Sequence, residues 1–157
     1  MSRIEDRLKD LHIELPTAAA PVANYVPYVI SGSLLVISGQ VAFGANGKFD
    51  PAHTGKLGGS VSVEAGQAAA RRCAINVLAQ AKLALGDLDR ISRCIRLGGF
   101  INVAPGFSAV PLVMNGASDF IVEIFGDKGR HARSTIGVAE LPFESAVEVE
   151  ALFEIAP

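Results

Sequence analysis

Tryptophan is absent from this 157-residue sequence, and aromatic residues together make up only 6% of it. A hydrophobic core must therefore be filled mainly by Ala, Val, Ile and Leu side chains. Half of the residues are hydrophobic, and the length suits one domain with a core of its own. We expect a single globular domain over residues 1–157.

The sequence also lacks an excess of positive charge. It has 14 Lys and Arg against 16 Asp and Glu, for a net charge of −2 and a pI of about 5.9. Dedicated nucleic-acid binders usually carry a basic excess, so no nucleic-acid partner is expected. No stretch approaches the roughly 20 apolar residues of a membrane span, and the N-terminal MSRIEDRLKD is charged. We expect no membrane span and a cytoplasmic location.

Cysteine is scarce, and the only two, Cys73 and Cys94, form no CxxC motif and have no metal-ligand spacing with the histidines. They are interpreted as reduced core thiols, and no metal site is expected. The glycine-rich residues 44–60 are predicted to form a mobile loop. This loop contains Gly-Lys twice, but Lys48 and Lys56 precede Phe and Leu, so the GxxxxGK[ST] phosphate-loop pattern fails.

Hydrophobic periodicity predicts a short leading helix within residues 1–15, a PTAAAP linker, and then the order β-β-α-β-α-β-β. Two helices beside a mostly antiparallel set of strands indicate a two-layer α+β domain. Ser62 is expected to cap the first long helix, and Pro111 to interrupt the second near its start. The predicted elements are strands 25–30 and 34–43, helix 63–85, strand 91–103, helix 107–125, and strands 133–138 and 146–155.

The last two predicted strands alternate between polar and apolar positions. Arg133 and Thr135 share one face of their strand, while Ile136 lies on the other; Glu148 and Glu150 likewise share one face. We expect each strand to bury its apolar face under the helices and to turn its polar face away. A solvated outer face would explain these charges. Alternatively, Thr135 and Gly137 leave room beside Arg133, and this room suits a planar carboxylate.

Three segments resemble one known family. YVPYVISGSLLVISGQ is similar to its opening hairpin, ARSTIGVAELP to its signature strand, and AVEVEALFEIA to its closing strand. The family is Rid, the YjgF or L-PSP group of reactive-intermediate deaminases, and the likeness covers residues 20–156. The leading helix and the long glycine-rich loop place the sequence nearer a longer subgroup of the family.

The resemblance implies a chorismate-mutase-like α+β fold assembled as a homotrimer around a central barrel, with clefts between subunits. Its last two strands would not be direct neighbours. Active members of the family hydrolyse enamines and imines such as 2-aminoacrylate to a 2-keto acid and ammonia, without a cofactor. The expected partner is therefore a small imine or keto acid that carries a carboxylate.

The resemblance also implies roles for individual residues. Arg133 matches the arginine that clamps the substrate carboxylate, and Glu148 matches the glutamate that positions the attacking water. Thr135 stands where many members have a cysteine whose backbone N–H contacts the same carboxylate. The remaining matches are Tyr25, which lines the cleft, Ser38 and Gly39 near the ligand, and Asn115, an asparagine from the neighbouring subunit.

Two other functions stay open at this point. A trimer that binds a carboxylate metabolite without converting it would use the same arginine. An endoribonuclease or translation inhibitor, activities attached to the family by name, fits less well with an acidic protein, because phosphate neutralisation supplies most non-specific RNA affinity. His131, close to the signature, is interpreted as a loop residue.

Overall fold

The computed structural model describes residues 2–21 and 23–157. After the leading helix, the elements follow the predicted order β-β-α-β-α-β-β. The helices and strands are α1 (Arg3–Asp10), β1 (Tyr28–Ser31), β2 (Leu34–Val41), α2 (Val63–Leu85), β3 (Ile91–Asn102), α3 (Val110–Phe125), β4 (Ala132–Val138) and β5 (Val147–Ile155).

The strands form one five-stranded sheet in the order β1-β2-β5-β3-β4. Strands β1 and β2 form a hairpin, and β5 pairs antiparallel with both β2 and β3. Strand β4 pairs parallel with β3, because α3 carries the chain back across the sheet between them. The α+β fold class is confirmed, and β4 and β5 are separated by β3.

Helix α2 has the predicted bounds, and local signals at both ends explain this. The Ser62 hydroxyl accepts a hydrogen bond from the Ala65 N–H at 3.1 Å, which caps the N-terminus. Gly86, at φ 73°, ends the helix and donates its N–H to the Lys82 carbonyl. Small side chains let α2 approach the sheet and α3 closely: a Cβ on Gly116 of α3 would lie 2.0 Å from the Gln67 carbonyl oxygen.

Two elements begin three residues later than predicted, and the starts of β4 and β5 each differ by one residue. Helix α3 begins at Val110, later than residue 107, and Pro111 lies in its first turn without interrupting it. Proline is tolerated there because its missing N–H would have no intrahelical partner. Strand β1 begins at Tyr28, so Tyr25 precedes the sheet.

The glycine-rich residues 44–60, for which a mobile loop is predicted, are anchored to the rest of the fold at several points. Leu57 is fully buried; its N–H donates to the Asn102 carbonyl, and its own carbonyl accepts from the Ala104 N–H. Phe43 pairs with Phe49 in an isolated bridge. The single leucine in a glycine-rich stretch therefore fixes the segment to the core.

Helix α1 docks through its N-terminus and through Leu8. The Asp89 carboxylate accepts hydrogen bonds from the Arg3 and Ile4 N–H groups and from the Ser2 hydroxyl. Partial burial opposes ionisation of this carboxyl, but the hydrogen bonds prevail and lower its pKa to about 2. Leu8 is buried in the common core.

Cys73 and Cys94 are both buried and unbridged, as predicted for core thiols. Burial is the main reason that the pKa of each thiol is raised, to about 12 for Cys94. Among the described residues, no helix is long and apolar enough to cross a bilayer.

Candidate functional site

Arg133 faces the helices. In the sheet it pairs with Leu97 of β3, which pairs with Ala151 of β5, and residues paired in this way share a face. Leu97 and Ala151 are buried in the core. The expectation that β4 turns its polar face away from the helices was therefore wrong: it is Ile136, 51% exposed, that points to the open face. Alternation shows which residues share a face, but not which face the helices cover.

Helix α3 holds the Arg133 guanidinium. Its Nη1 donates to the Asn115 Oδ1 at 2.9 Å and to the Ser118 Oγ at 3.1 Å, and its Nη2 donates to the Pro111 carbonyl at 3.2 Å. These bonds use three of the five N–H donors that a guanidinium has. Within residues 2–21 and 23–157, Arg133 forms no ion pair with a carboxylate. The Nε and Nη2 groups share one edge, which suits an incoming carboxylate.

A second layer of hydrogen bonds supports this arrangement. The His131 Nδ1 lies 2.6 Å from the Gly129 carbonyl, so it carries the proton and donates. The Nε2 then accepts from the Ser118 hydroxyl at 2.9 Å, which leaves the Ser118 oxygen free to accept from Arg133. Sequence reasoning interpreted His131 only as a loop residue. Its spacing of two from Arg133, which places both on one side of an extended chain, is the signal that could have linked them.

Thr135 lies on the same face as Arg133, opposite Gly99 of β3. Its hydroxyl oxygen is buried and has no hydrogen-bonding partner among the described residues. A buried hydroxyl without a partner is costly, and such a group marks a place where a ligand or water completes the structure. Arg133, Asn115 and Thr135 thus form one group, which we name the arginine half-site.

Glu148 lies on the opposite, open face of the sheet. It pairs with Phe100 of β3, which pairs with Ile136 of β4. Its carboxylate covers Gly39 of β2, where a Cβ atom would lie 2.1 Å from the Glu148 Oε1. Gly39 is therefore the residue that leaves room for this carboxylate.

The environment of Glu148 favours its neutral form. Burial is the larger cause, and the charge of Glu150 adds to it, so the pKa of Glu148 is raised above its usual value. Glu150 lies over Gly98 of β3 and forms an ion pair with Arg96 at 3.4 Å. Among the described residues, Glu148 has no cation partner of this kind. A carboxyl group with a raised pKa near a cavity is suited to proton transfer.

Two further predicted residues lie near Gly39. The Ser38 hydroxyl donates to the Val26 carbonyl at 2.8 Å, and its N–H donates to the Pro27 carbonyl at 3.0 Å, so Ser38 fastens the chain that precedes β1. Tyr25, 53% exposed, lines a cavity together with Gly39 and Glu148. We name Tyr25, Gly39 and Glu148 the glutamate half-site.

One chain does not bring the two half-sites together. Strand β3 lies between β4 and β5, which puts two strand spacings, about 9–10 Å, between Arg133 and Glu148 along the sheet. The two side chains also leave opposite faces. Asn115, which the resemblance assigned to a neighbouring subunit, bonds to Arg133 of its own chain. Across the described residues, no group of three or more His, Cys, Asp or Glu side chains could hold a metal ion.

The fold and these residues define a two-layer α+β domain with an arginine on an edge strand and a glutamate on the other sheet face. The family model described as "YjgF/chorismate mutase-like, putative endoribonuclease" matches residues 5–155. The chain belongs to this family, in agreement with the resemblance seen in its sequence.

Relatives match along almost the whole chain. Protein TCP17 of Trypanosoma cruzi is 51% identical over 98% of this chain and 94% of its own length. A crystal structure of a protein of unknown function from Agrobacterium tumefaciens is 48% identical with a TM-score of 0.88, covering 98% of this chain and 92% of that one. A Shewanella oneidensis structure described as a "putative endoribonuclease" is 39% identical with a TM-score of 0.92, covering 97% and 99%.

Proposed function

We propose that this protein is a hydrolytic deaminase of 2-imino acids and their enamine tautomers, of which 2-aminoacrylate is the simplest type. The observation that carries the proposal is the Arg133 guanidinium, which α3 holds in place while one edge of it has no carboxylate partner among the described residues. A fixed, uncompensated guanidinium recognises a planar carboxylate with two parallel hydrogen bonds.

The proposed active unit is a homotrimer whose sites lie between subunits. The separation of Arg133 and Glu148 within a chain supports this, because a second copy must then supply the missing half-site. The open sheet face also supports it: Val29, Val36 and Ile136 are 51%, 45% and 51% exposed there. Apolar patches of this kind on a sheet are typical of surfaces that a partner covers.

In the proposed reaction, water adds to the C=N carbon of the protonated imine. Glu148, when ionised, takes a proton from that water as the C–O bond forms, which gives a carbinolamine. The proton then passes to the amino nitrogen, and the C–N bond breaks with its electron pair going to nitrogen. As the carbonyl of the keto acid forms, Glu148 takes the hydroxyl proton and passes it to the departing ammonia, which leaves as ammonium. Overall, protonated imine and water give a 2-keto acid and ammonium. Proton transfer by a positioned carboxylate contributes about 10²–10⁴-fold.

The first test is a coupled assay in which a pyridoxal-phosphate dehydratase generates 2-aminoacrylate and related imines. We expect the protein to accelerate the appearance of keto acid and ammonia, and Arg133→Ala to abolish the acceleration. Arg130→Ala is the matched control, because Arg130 is exposed nearby and pairs with Asp127. Equal loss in both variants, or no acceleration of any imine, contradicts the proposal.

Binding and RNA assays on the same proteins separate two alternatives. Tight binding of a 2-keto acid that Arg133→Ala loses, without turnover of any imine, favours a regulatory trimer. RNA cleavage or strong, salt-sensitive RNA binding favours an endoribonuclease, the activity by which the Shewanella relative is described. On the open sheet face, Glu148, Glu150 and Glu154 outnumber Arg93 and Arg96, so β3 and β5 offer no basic excess for phosphate there.

A further inference from the structure

A cavity of about 550 Å³ lies beside Glu148. Strand β1 pairs with Leu34–Ile37 of β2, so within residues 2–21 and 23–157 no strand lies on the outer side of residues 38–41 of β2. The cavity fills this space and is bounded by the linker at residues 16–21, the turn at residues 43–47 and the corner before β5. It is much larger than a three-carbon acid requires, since cavities of about 300–1,000 Å³ enclose drug-sized ligands.

One wall of the cavity is aromatic. Phe43 and Phe143 line the cavity with their rings tilted against each other and their centroids 5.6 Å apart, and Phe49 packs behind Phe43 at 4.4 Å. Phe143 remains 62% exposed at the rim and adopts φ 58° and ψ 23°, a left-handed conformation that is unfavourable for a bulky residue. Strain of this kind persists only where the surroundings enforce it, and it clusters at ligand sites.

The opposite wall is the linker, which α2 holds in place. The Gln80 Nε2 donates to the Ala19 carbonyl at 2.8 Å. The Asn76 Nδ2 donates to the Val41 and Phe43 carbonyls, both at 2.9 Å. These amide donors are therefore already used by the backbone and leave the cavity lined mainly by Ala, Pro and Phe side chains.

Charge is nearly absent from the lining. Among the described residues, Glu148 is the only carboxylate that lines the cavity, and no Lys, Arg or His does so. An anionic substrate side chain would find no counter-charge inside, and a cationic one would find only Glu148, which the proposed reaction already uses. An apolar ring would instead be stabilised by contact with the aromatic wall.

We propose that this cavity receives the side chain of the substrate and that the preferred substrates are 2-imino acids with large, apolar, aromatic side chains. This inference rests on the proposed deaminase function and names its substrate class. Glu148 connects the proposed reaction with the cavity, because it lines the cavity and, in the proposed reaction, lies at the reacting carbon. With the carboxylate on Arg133 of a second copy, the side chain extends from Glu148 into the cavity.

The test compares imines made in place by an L-amino acid oxidase with catalase, from phenylalanine and from alanine. Semicarbazide traps the imine that escapes hydrolysis. We expect kcat/KM for the phenylalanine-derived imine to exceed that for the alanine-derived imine about tenfold or more, since apolar pockets discriminate by such factors. Equal values for the two imines would overturn the inference while leaving the deaminase function intact.

Two cavity variants and one control show whether the preference for the phenylalanine-derived imine depends on the cavity. Ala79→Leu fills the cavity from α2 and should remove the preference while the alanine-derived imine is still hydrolysed. Ala68→Leu, at an exposed position of the same helix, should leave both rates unchanged. Phe143→Ala removes an exposed rim side chain without a change in the core and should reduce the preference severalfold. A folded Ala79→Leu protein with an unaltered preference would also overturn the inference.

Binding gives an independent result if no imine is hydrolysed. The difference in affinity between phenylpyruvate and pyruvate, measured by calorimetry, then reports on the cavity, because both acids carry the same keto-acid group. Tighter binding of phenylpyruvate by the wild-type protein, lost in Ala79→Leu, supports the cavity assignment although the deaminase function has failed. Equal affinity for the two keto acids rejects it.

Discussion

Arg133 and Glu148 project from opposite faces of one sheet, with a strand between them. Each chain therefore presents an arginine half-site at one edge and a glutamate half-site near the other. Two half-sites of this kind can serve one small substrate only when they come from different chains. The separation of these residues within one chain is the reason for the proposed site between subunits.

Subunit mixing tests this arrangement directly. Arg133→Ala and Glu148→Gln proteins should each be inactive alone. When the two are refolded together in equal amounts, about a quarter of the sites in a cyclic trimer combine an intact arginine with an intact glutamate, and that share of wild-type activity should return. Absence of any recovery from mixed trimers would show that both residues act within one chain.

Replacing Gly39 should displace the Glu148 carboxylate. The Cβ of Gly39→Ala would lie 2.1 Å from the Glu148 Oε1, which can move aside because it is the end of a flexible side chain. We expect kcat to fall about 10²-fold or more with little change in melting temperature, in line with the contribution of general acid–base catalysis. Gly98→Ala is the matched control, since it displaces Glu150 in the same way. Equal losses in the two variants would contradict a special role of Glu148.

The acid limb of the pH profile should report on Glu148. Its pKa is raised by burial and then by Glu150, so kcat/KM should rise with pH in a range above that of an ordinary glutamate. Glu150→Gln removes the repelling charge and should move this limb to lower pH. Glu154→Gln, farther along the strand, should not. A limb that stays in place in Glu150→Gln would contradict the coupling between Glu150 and the titrating group.

The same shift affects stability with a defined sign. Folded Glu148 binds its proton more tightly than it does in the unfolded chain. The free energy of unfolding should therefore lose this contribution as the pH rises from the ordinary glutamate range through the raised pKa. Denaturant titrations of wild type and Glu150→Gln should show a smaller loss in the variant over that range.

His131 and Ser118 should act by positioning Arg133. Ser118→Ala removes one acceptor from the guanidinium and should raise KM up to about tenfold, the equivalent of one hydrogen bond, with a smaller change in kcat. His131→Ala should have the same effect in a weaker form, because it reaches Arg133 only through Ser118. Ser134→Ala, on the other face of β4, is the control. A change confined to kcat would contradict a positioning role.

Local signals predicted the elements well, and tertiary relationships account for what was missed. Helix α2 was predicted with its observed bounds because Ser62 and Gly86 mark its ends. The face that carries Arg133 was assigned wrongly, since alternation along a strand contains no information about where α3 packs. Leu57 anchors the glycine-rich segment through contacts with distant residues, which composition alone does not reveal.

The candidate residues were named from family resemblance, and the structure places them in two groups. The alternation in β4 and β5 could not show this division, because it depends on the order of strands in the sheet. The separation of β4 from β5 was implied by the resemblance and is confirmed. No sequence motif marks the hydrogen bonds by which Ser118 and His131 support Arg133, because they connect helix α3 to the residue before β4.

Phe143 has a consequence for protein engineering. Its left-handed backbone costs about 1–2 kcal/mol relative to a glycine at the same place. A screen for thermal stability should therefore select glycine at position 143. A screen for hydrolysis of aromatic substrates should reject glycine there, because the rim side chain is lost. The two selections would therefore favour different residues at position 143, because a gain in stability there is accompanied by a loss of substrate preference.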